Sequence, residues 1–105
     1  MTVKIKPNSN RARLAAWFMK SQSIAIVFGK TICLHNCSKE DFLTNTNWLR
    51  HEIAHVHQYK RYGYFLFILT YLAEMVRKGY YHNTFEAEAR EKEQDEHILD
   101  DIIIR

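Results

Sequence analysis

The sequence predicts an α+β domain, with a small antiparallel hairpin sheet packed on three main helices. Three observations predict it. Residues 23–35 contain two β-rich runs on either side of Gly29-Lys30. From Thr46 onward, apolar residues recur at helical spacing in three long stretches, punctuated at Gly63 and Gly79. The 105 residues, 47% apolar and 26% charged, suit one folded unit with a modest core, so residues 1–105 are read as a single domain.

Thr2 to Lys6 alternates polar and apolar residues until Pro7 stops it, which predicts a short strand or an extended arm. Asn8, Ser9 or Asn10 can cap a helix running through Lys20, with Leu14, Trp17 and Phe18 at helical spacing. Ser23–Phe28 and Thr31–His35 form the hairpin, turned by a glycine-first pair. Ser38-Lys39-Glu40-Asp41 has the form of a capping box and opens a short helix around Phe42 and Leu43. Thr46 or Asn47 then caps a helix that runs to Tyr62 and ends at Gly63.

That helix has two unlike faces. His51, His55, Gln58 and Tyr62 share a polar stripe, while Leu49, Ile53 and Val56 lie opposite. Tyr64–Lys78 is apolar almost all round, which predicts a central helix between its neighbour and the hairpin; Gly79 ends it. Asn83 or Thr84 caps a last helix, expected to reach about Asp100, and Ile102–Ile104 is either a strand or a sticky tail.

Within the third helix stands His51-Glu52-Ile53-Ala54-His55. Histidines four apart lie one turn above each other, so both imidazoles can bind one Zn²⁺. A glutamate after the first histidine can reach a metal-bound water and act as general base, passing the proton on to a leaving amine. Catalytic zinc takes three protein ligands and a water, so one ligand is still needed. Glu86 and Glu88 compete for that place, and spacing alone does not choose between them. Asn83-Thr84-Phe85-Glu86 is also a capping-box pattern, and both glutamates have i,i+4 basic partners in Arg90 and Lys92. Tyr80, Tyr81 or His82, just before that helix, can lean over the site to stabilise an oxyanion, with Tyr81 as the candidate retained.

His51-Glu52-Ile53-Ala54-His55 followed by Glu86-Ala87-Glu88-Ala89 resembles the zincin metallopeptidases of the gluzincin type. The closer resemblance, over roughly Lys30 to Glu93, is to small bacterial zincin-like domains of unknown function, including those attached to contractile injection systems. These share the Gln-bearing segment seen here as Val56-His57-Gln58-Tyr59. The resemblance implies a minimal zincin-like fold with one zinc on His51, His55 and Glu86, Glu88 in reserve and Glu52 as base. Ile32–Asn36 would be the edge strand that pairs with a peptide. Arg90 replaces an acidic residue that orients a histidine in related peptidases, and Gln58 or Tyr62 is expected to substitute.

The implied function is zinc-dependent hydrolysis of peptide bonds; the rival is a non-catalytic zinc-binding domain that binds a protein partner. A fourth ligand such as Glu88, His82 or His57 would favour the rival. The formal net charge of +3 is too small and too mixed to indicate nucleic acid. The apolar run Tyr64–Ala73 is about half the roughly 20 residues of a membrane span. With no apolar leader at the N-terminus, Cys33 and Cys37 are expected to be reduced thiols in a cytoplasmic protein.

Overall fold

The computed structural model describes residues 1–19 and 23–105, and its class is α+β. Strand β1 (Thr2–Lys6) leads into helix α1 (Asn10–Met19), followed by the hairpin strands β2 (Ile24–Phe28) and β3 (Thr31–His35). Then come α2 (Lys39–Thr44), α3 (Thr46–Tyr62), α4 (Tyr64–His82) and α5 (Thr84–Lys92), and a closing strand β4 (Ile103–Ile104). The expected end of the first helix at Lys20 lies outside the described residues.

The hairpin is antiparallel, with Phe28 opposite Thr31 and Ile24 opposite His35. Gly29 takes φ +63° at the turn, a conformation costly for any residue with a Cβ. The sheet is larger than the hairpin, and it is mixed. β1 joins β3 in parallel, using α1 and β2 as its crossover, and β4 joins β1 in parallel, giving the order β2-β3-β1-β4. Ile103 and Ile104 are therefore a strand rather than a free tail. β3 is interior, so the expectation that Ile32–Asn36 forms the edge fails, and β2 is the edge strand beside the helices. The cause is the parallel addition of β1, which the hairpin pattern alone does not reveal.

Val3, Ile5, Ile32 and Leu34 from the sheet meet Phe42 of α2 and Leu49, Ile53 and Val56 of α3 in the core. Ser38 caps α2 as expected, its Oγ accepting from the Asp41 amide. The cap of α3 is Asn45, one residue before those expected. Its amide donates to the Phe42 carbonyl at 3.1 Å, and its Oδ1 accepts from the Trp48 amide at 3.2 Å. One residue thus closes α2 and opens α3 with no intervening loop.

Two helices depart from expectation. α4 is peripheral: only Phe67 is fully buried, while Phe65, Leu69 and Val76 are 79%, 66% and 87% exposed. The sheet's core face is already occupied by α3, so α4 can bury only one stripe. Its regular part stops at Gly79, which breaks the helix at φ +77° as the sequence implies. α5 ends at Lys92, well short of Asp100, and bonds such as Asp95 N–H to Lys92 O and Asp100 N–H to His97 O carry the chain through successive turns. With no apolar face past Ala89 to hold a helix, the chain bends to place Ile98, Leu99 and Ile102 on the core. Among the described residues, no helix is long and apolar enough to cross a membrane.

Candidate metal centre

α3 puts its apolar stripe on the sheet and turns His51 and His55 towards α5. At the start of α5, Asn83 is fully buried; its Oδ1 accepts from the Phe85 amide at 2.9 Å and its Nδ2 donates to the Tyr71 carbonyl at 3.2 Å. This cap fixes the first turn of α5 against α4 and so aims Glu86 at the histidines. Asn83→Ala is expected to cost about 1–3 kcal/mol in urea denaturation, from a lost cap and an unpaired carbonyl, and to weaken metal binding with it.

His51, His55 and Glu86 converge. The Nε2 atoms of His51 and His55 lie 3.0 Å and 3.2 Å from the same oxygen, Glu86 Oε1. All three donor atoms fall within 4.8 Å of one another, a group able to hold a metal ion. Glu86 is buried, and the His51 and His55 side chains are only 12% and 9% exposed.

The outer nitrogens are also held. His51 Nδ1 lies 2.8 Å from Glu93 Oε2, and His55 Nδ1 lies 2.8 Å from Gln58 Oε1. The orientation of the Gln58 amide is determined by its other contacts. Its Nε2 donates to the Phe85 carbonyl at 3.0 Å and to Glu88 Oε1 at 2.8 Å, so the oxygen must face His55. His55 therefore carries its proton on Nδ1, which leaves the Nε2 lone pair pointing at Glu86.

This exposes a mismatch that a cation resolves. Each imidazole meets an acceptor at both nitrogens, and a neutral ring has only one N–H to donate. Without metal, both rings must be protonated or leave two lone pairs facing the Glu86 carboxylate. With a divalent ion among the three inner atoms, every proton and lone pair is matched. The donor set of two imidazoles and one carboxylate fits such an ion.

The electrostatics agree with that account. Burial opposes charge on His55, but the bonds to Glu86 and the nearby Glu52 outweigh it and lift its pKa to about 9. His51 is raised by the same balance, with Glu86 the leading opposing partner. Burial would raise Glu86, yet its two histidine partners hold it well below the usual carboxylate range. Glu52 is buried beside the histidines, and burial pushes its carboxyl up to about 7. The charged groups acting on it are the two histidines and Glu86, and it pairs with no lysine or arginine among the described residues, so it is not a surface pairing residue.

The other expected residues separate. Glu88 is no part of the cluster: it anchors Gln58 and pairs with Arg61 at 3.3 Å. Position i+2 on a helix turns it away from Glu86, as the geometry of α5 requires. Gln58 does orient a histidine. Tyr62 does not; it packs edge-on against Phe85 near the end of α3. Tyr81 is 68% exposed beneath the Arg90 guanidinium, whereas Tyr80 borders the same cavity as Glu86. The residue after Gly79 is directed inward by the break in α4, and the next one outward.

Two residues escaped the sequence reading. Glu93 supplies the carboxylate that Arg90 lacks, and the Arg50 guanidinium steadies it by donating to its carbonyl at 3.1 Å. It stands seven residues after Glu86, two turns along the same face, a signal present in the sequence. Tyr71 donates its hydroxyl to Glu86 Oε2. A tyrosine within the apolar stripe of Phe67, Ile68 and Met75 needs a polar partner for its tip where it packs inward, and that was the available clue. Glu93→Gln is expected to weaken metal affinity about 10–100-fold with little change in folding, measurable by competition with a fluorescent chelator.

Cys33 and Cys37 are both free, and no second cluster forms around them and His35 among the described residues. Comparison with protein-family models, with curated proteins and with solved structures gave no match to this chain.

Proposed function

We propose that this protein is a zinc-dependent hydrolase of peptide bonds, a minimal zincin-like domain of the kind its motif resembles. The observation that carries the reading is the arrangement of protons and lone pairs. Two Nε2 atoms and one carboxylate oxygen are oriented from behind to converge, with a buried glutamate beside them and no other protein ligand among the described residues. Closed structural zinc sites take four protein ligands, so a three-ligand group favours catalysis.

Zinc is the ion that best suits two imidazoles and a carboxylate, and when bound it supplies Lewis acidity that makes water a nucleophile near neutral pH. The chain's own residues do the rest. Glu52, buried within reach of the site, accepts the proton of the attacking water and returns it to the leaving amine. Tyr80, half-exposed at the same cavity, is placed to donate to a developing oxyanion. The edge strand β2 borders the cavity and pairs with no further strand among the described residues, so an extended peptide can add to it there. The free cysteines suit a cytoplasmic setting.

The rival reading, a zinc-holding domain that binds a protein without cutting it, draws support from the exposed apolar face of α4. One experiment separates them: zinc content by mass spectrometry for wild type and His55→Ala, followed by peptide-library hydrolysis with the zinc-loaded protein. One zinc in wild type, little in His55→Ala, and cleavage abolished by a chelator support the hydrolase. Zinc without cleavage favours the rival, and absence of zinc after reconstitution refutes both.

A further inference from the structure

The cluster lies at the floor of a cavity of about 290 Å³ whose composition is uneven. Among the described residues, its only charged or titratable lining groups, tyrosines apart, are His51, Glu52, His55 and Glu86, all at the floor. One side is the edge strand, residues 24–28, and the other is a wall of α4 presenting Ile68, Leu72 and Met75. These three belong to the helix that packs less closely than its sequence predicts: Ile68 and Met75 are half-buried, and Leu72 is 54% exposed at the rim. A peptide strand lying along β2 sends alternate side chains to opposite sides, so one beside the reacting bond meets this wall.

We infer that the cavity selects a peptide with a large apolar side chain, of the leucine, methionine or phenylalanine kind, next to the scissile bond, with Leu72 and Met75 as the selecting residues. This rests on the hydrolase reading and names its substrate class. A charged side chain in that position would lose its water and find no counter-charge among the α4 residues Ile68, Leu72 and Met75, while His51, His55 and Glu86 are engaged with one another. An apolar one displaces water from a surface already apolar. Rejection of the charged side chain is thus the larger part of the selectivity.

The test uses leucine, aspartate and lysine hydroxamates, which share a zinc-binding head and differ only in side chain. Their affinities for zinc-loaded protein are measured by calorimetry, with zinc content determined on each sample. Leucine hydroxamate is expected to bind at least about 10-fold more tightly than the other two. Leu72→Lys and Met75→Lys, both on a helix face with room to spare, should erase that advantage and favour aspartate. Equal affinities, no hydroxamate binding, or a preference unmoved by both variants would overturn the inference. Peptide hydrolysis measured alongside keeps the two readings apart. Cleavage without side-chain preference refutes only the selectivity, and preference without cleavage refutes only the hydrolase.

Discussion

Replacing Glu52 with glutamine is expected to leave one zinc per chain and to lower peptide hydrolysis by about 10²–10⁴-fold. The prediction follows from where Glu52 is and what it touches. It is buried beside the two histidines but is not among the three converging donors, so the ion does not need it. It pairs with no lysine or arginine among the described residues, so the change strands no cation. Burial already pushes the carboxyl up to about 7, so a neutral amide of the same shape should fold at least as well as the wild type. The measurements are zinc content, melting temperature and hydrolysis rate on one preparation. Loss of zinc would make Glu52 a ligand or a structural support, and undiminished hydrolysis would remove it from the chemistry.

Metal removal should reverse the pH dependence of stability. In chelator-treated protein, His55 is raised from its ordinary 6.5 to about 9, so the folded state keeps a proton that the unfolded state releases. Its contribution is complete below pH 6.5 and is lost as pH rises through 9. Glu52, raised from 4.5 to about 7, acts with the same sign over its own window. Glu86, depressed, contributes above pH 4.5 and loses that contribution as pH falls further. Metal-free protein should therefore be most stable in mild acid and lose on the order of 1–3 kcal/mol by pH 9. Zinc requires the unprotonated ligands, so its stabilisation grows over the same interval, reaching about 4 kcal/mol at a thousandfold excess over Kd. Urea denaturation at pH 6, 7.5 and 9, with zinc and with chelator, should give curves that diverge with pH. Parallel curves would mean that the cluster neither titrates nor binds metal as described.

Much of this was written locally in the chain. The hairpin at Gly29-Lys30, the capping box at Ser38 and the stops at Gly63 and Gly79 depend on a few adjacent residues, and each is where the pattern placed it. The i,i+4 histidines and the neighbouring Glu52 follow from helix geometry once α3 is recognised. Glu86 and Glu88 show the limit of such reasoning. Both are sound helix residues with local partners, and only the docking of α5 on α3 brings one oxygen to both histidines and sends the other carboxylate to Gln58. The same holds for Glu93 and Tyr71, whose partners lie 42 and 15 residues away.

By itself, then, the sequence determined the hairpin, the starts of the main helices to within a residue, the α+β class and the pair of histidines, because these arise from dihedral preference, capping and periodicity over a few residues. Tertiary structure alone decided that β1 and β4 extend the sheet in parallel, making β2 the edge. It also decided that α4 lies outside despite its apolar sequence, and that Glu86 completes the cluster. The physical reason is the same in each case. Sheet order, helix burial and the convergence of ligands depend on which surfaces remain free once the first layers have packed, and no local pattern records that.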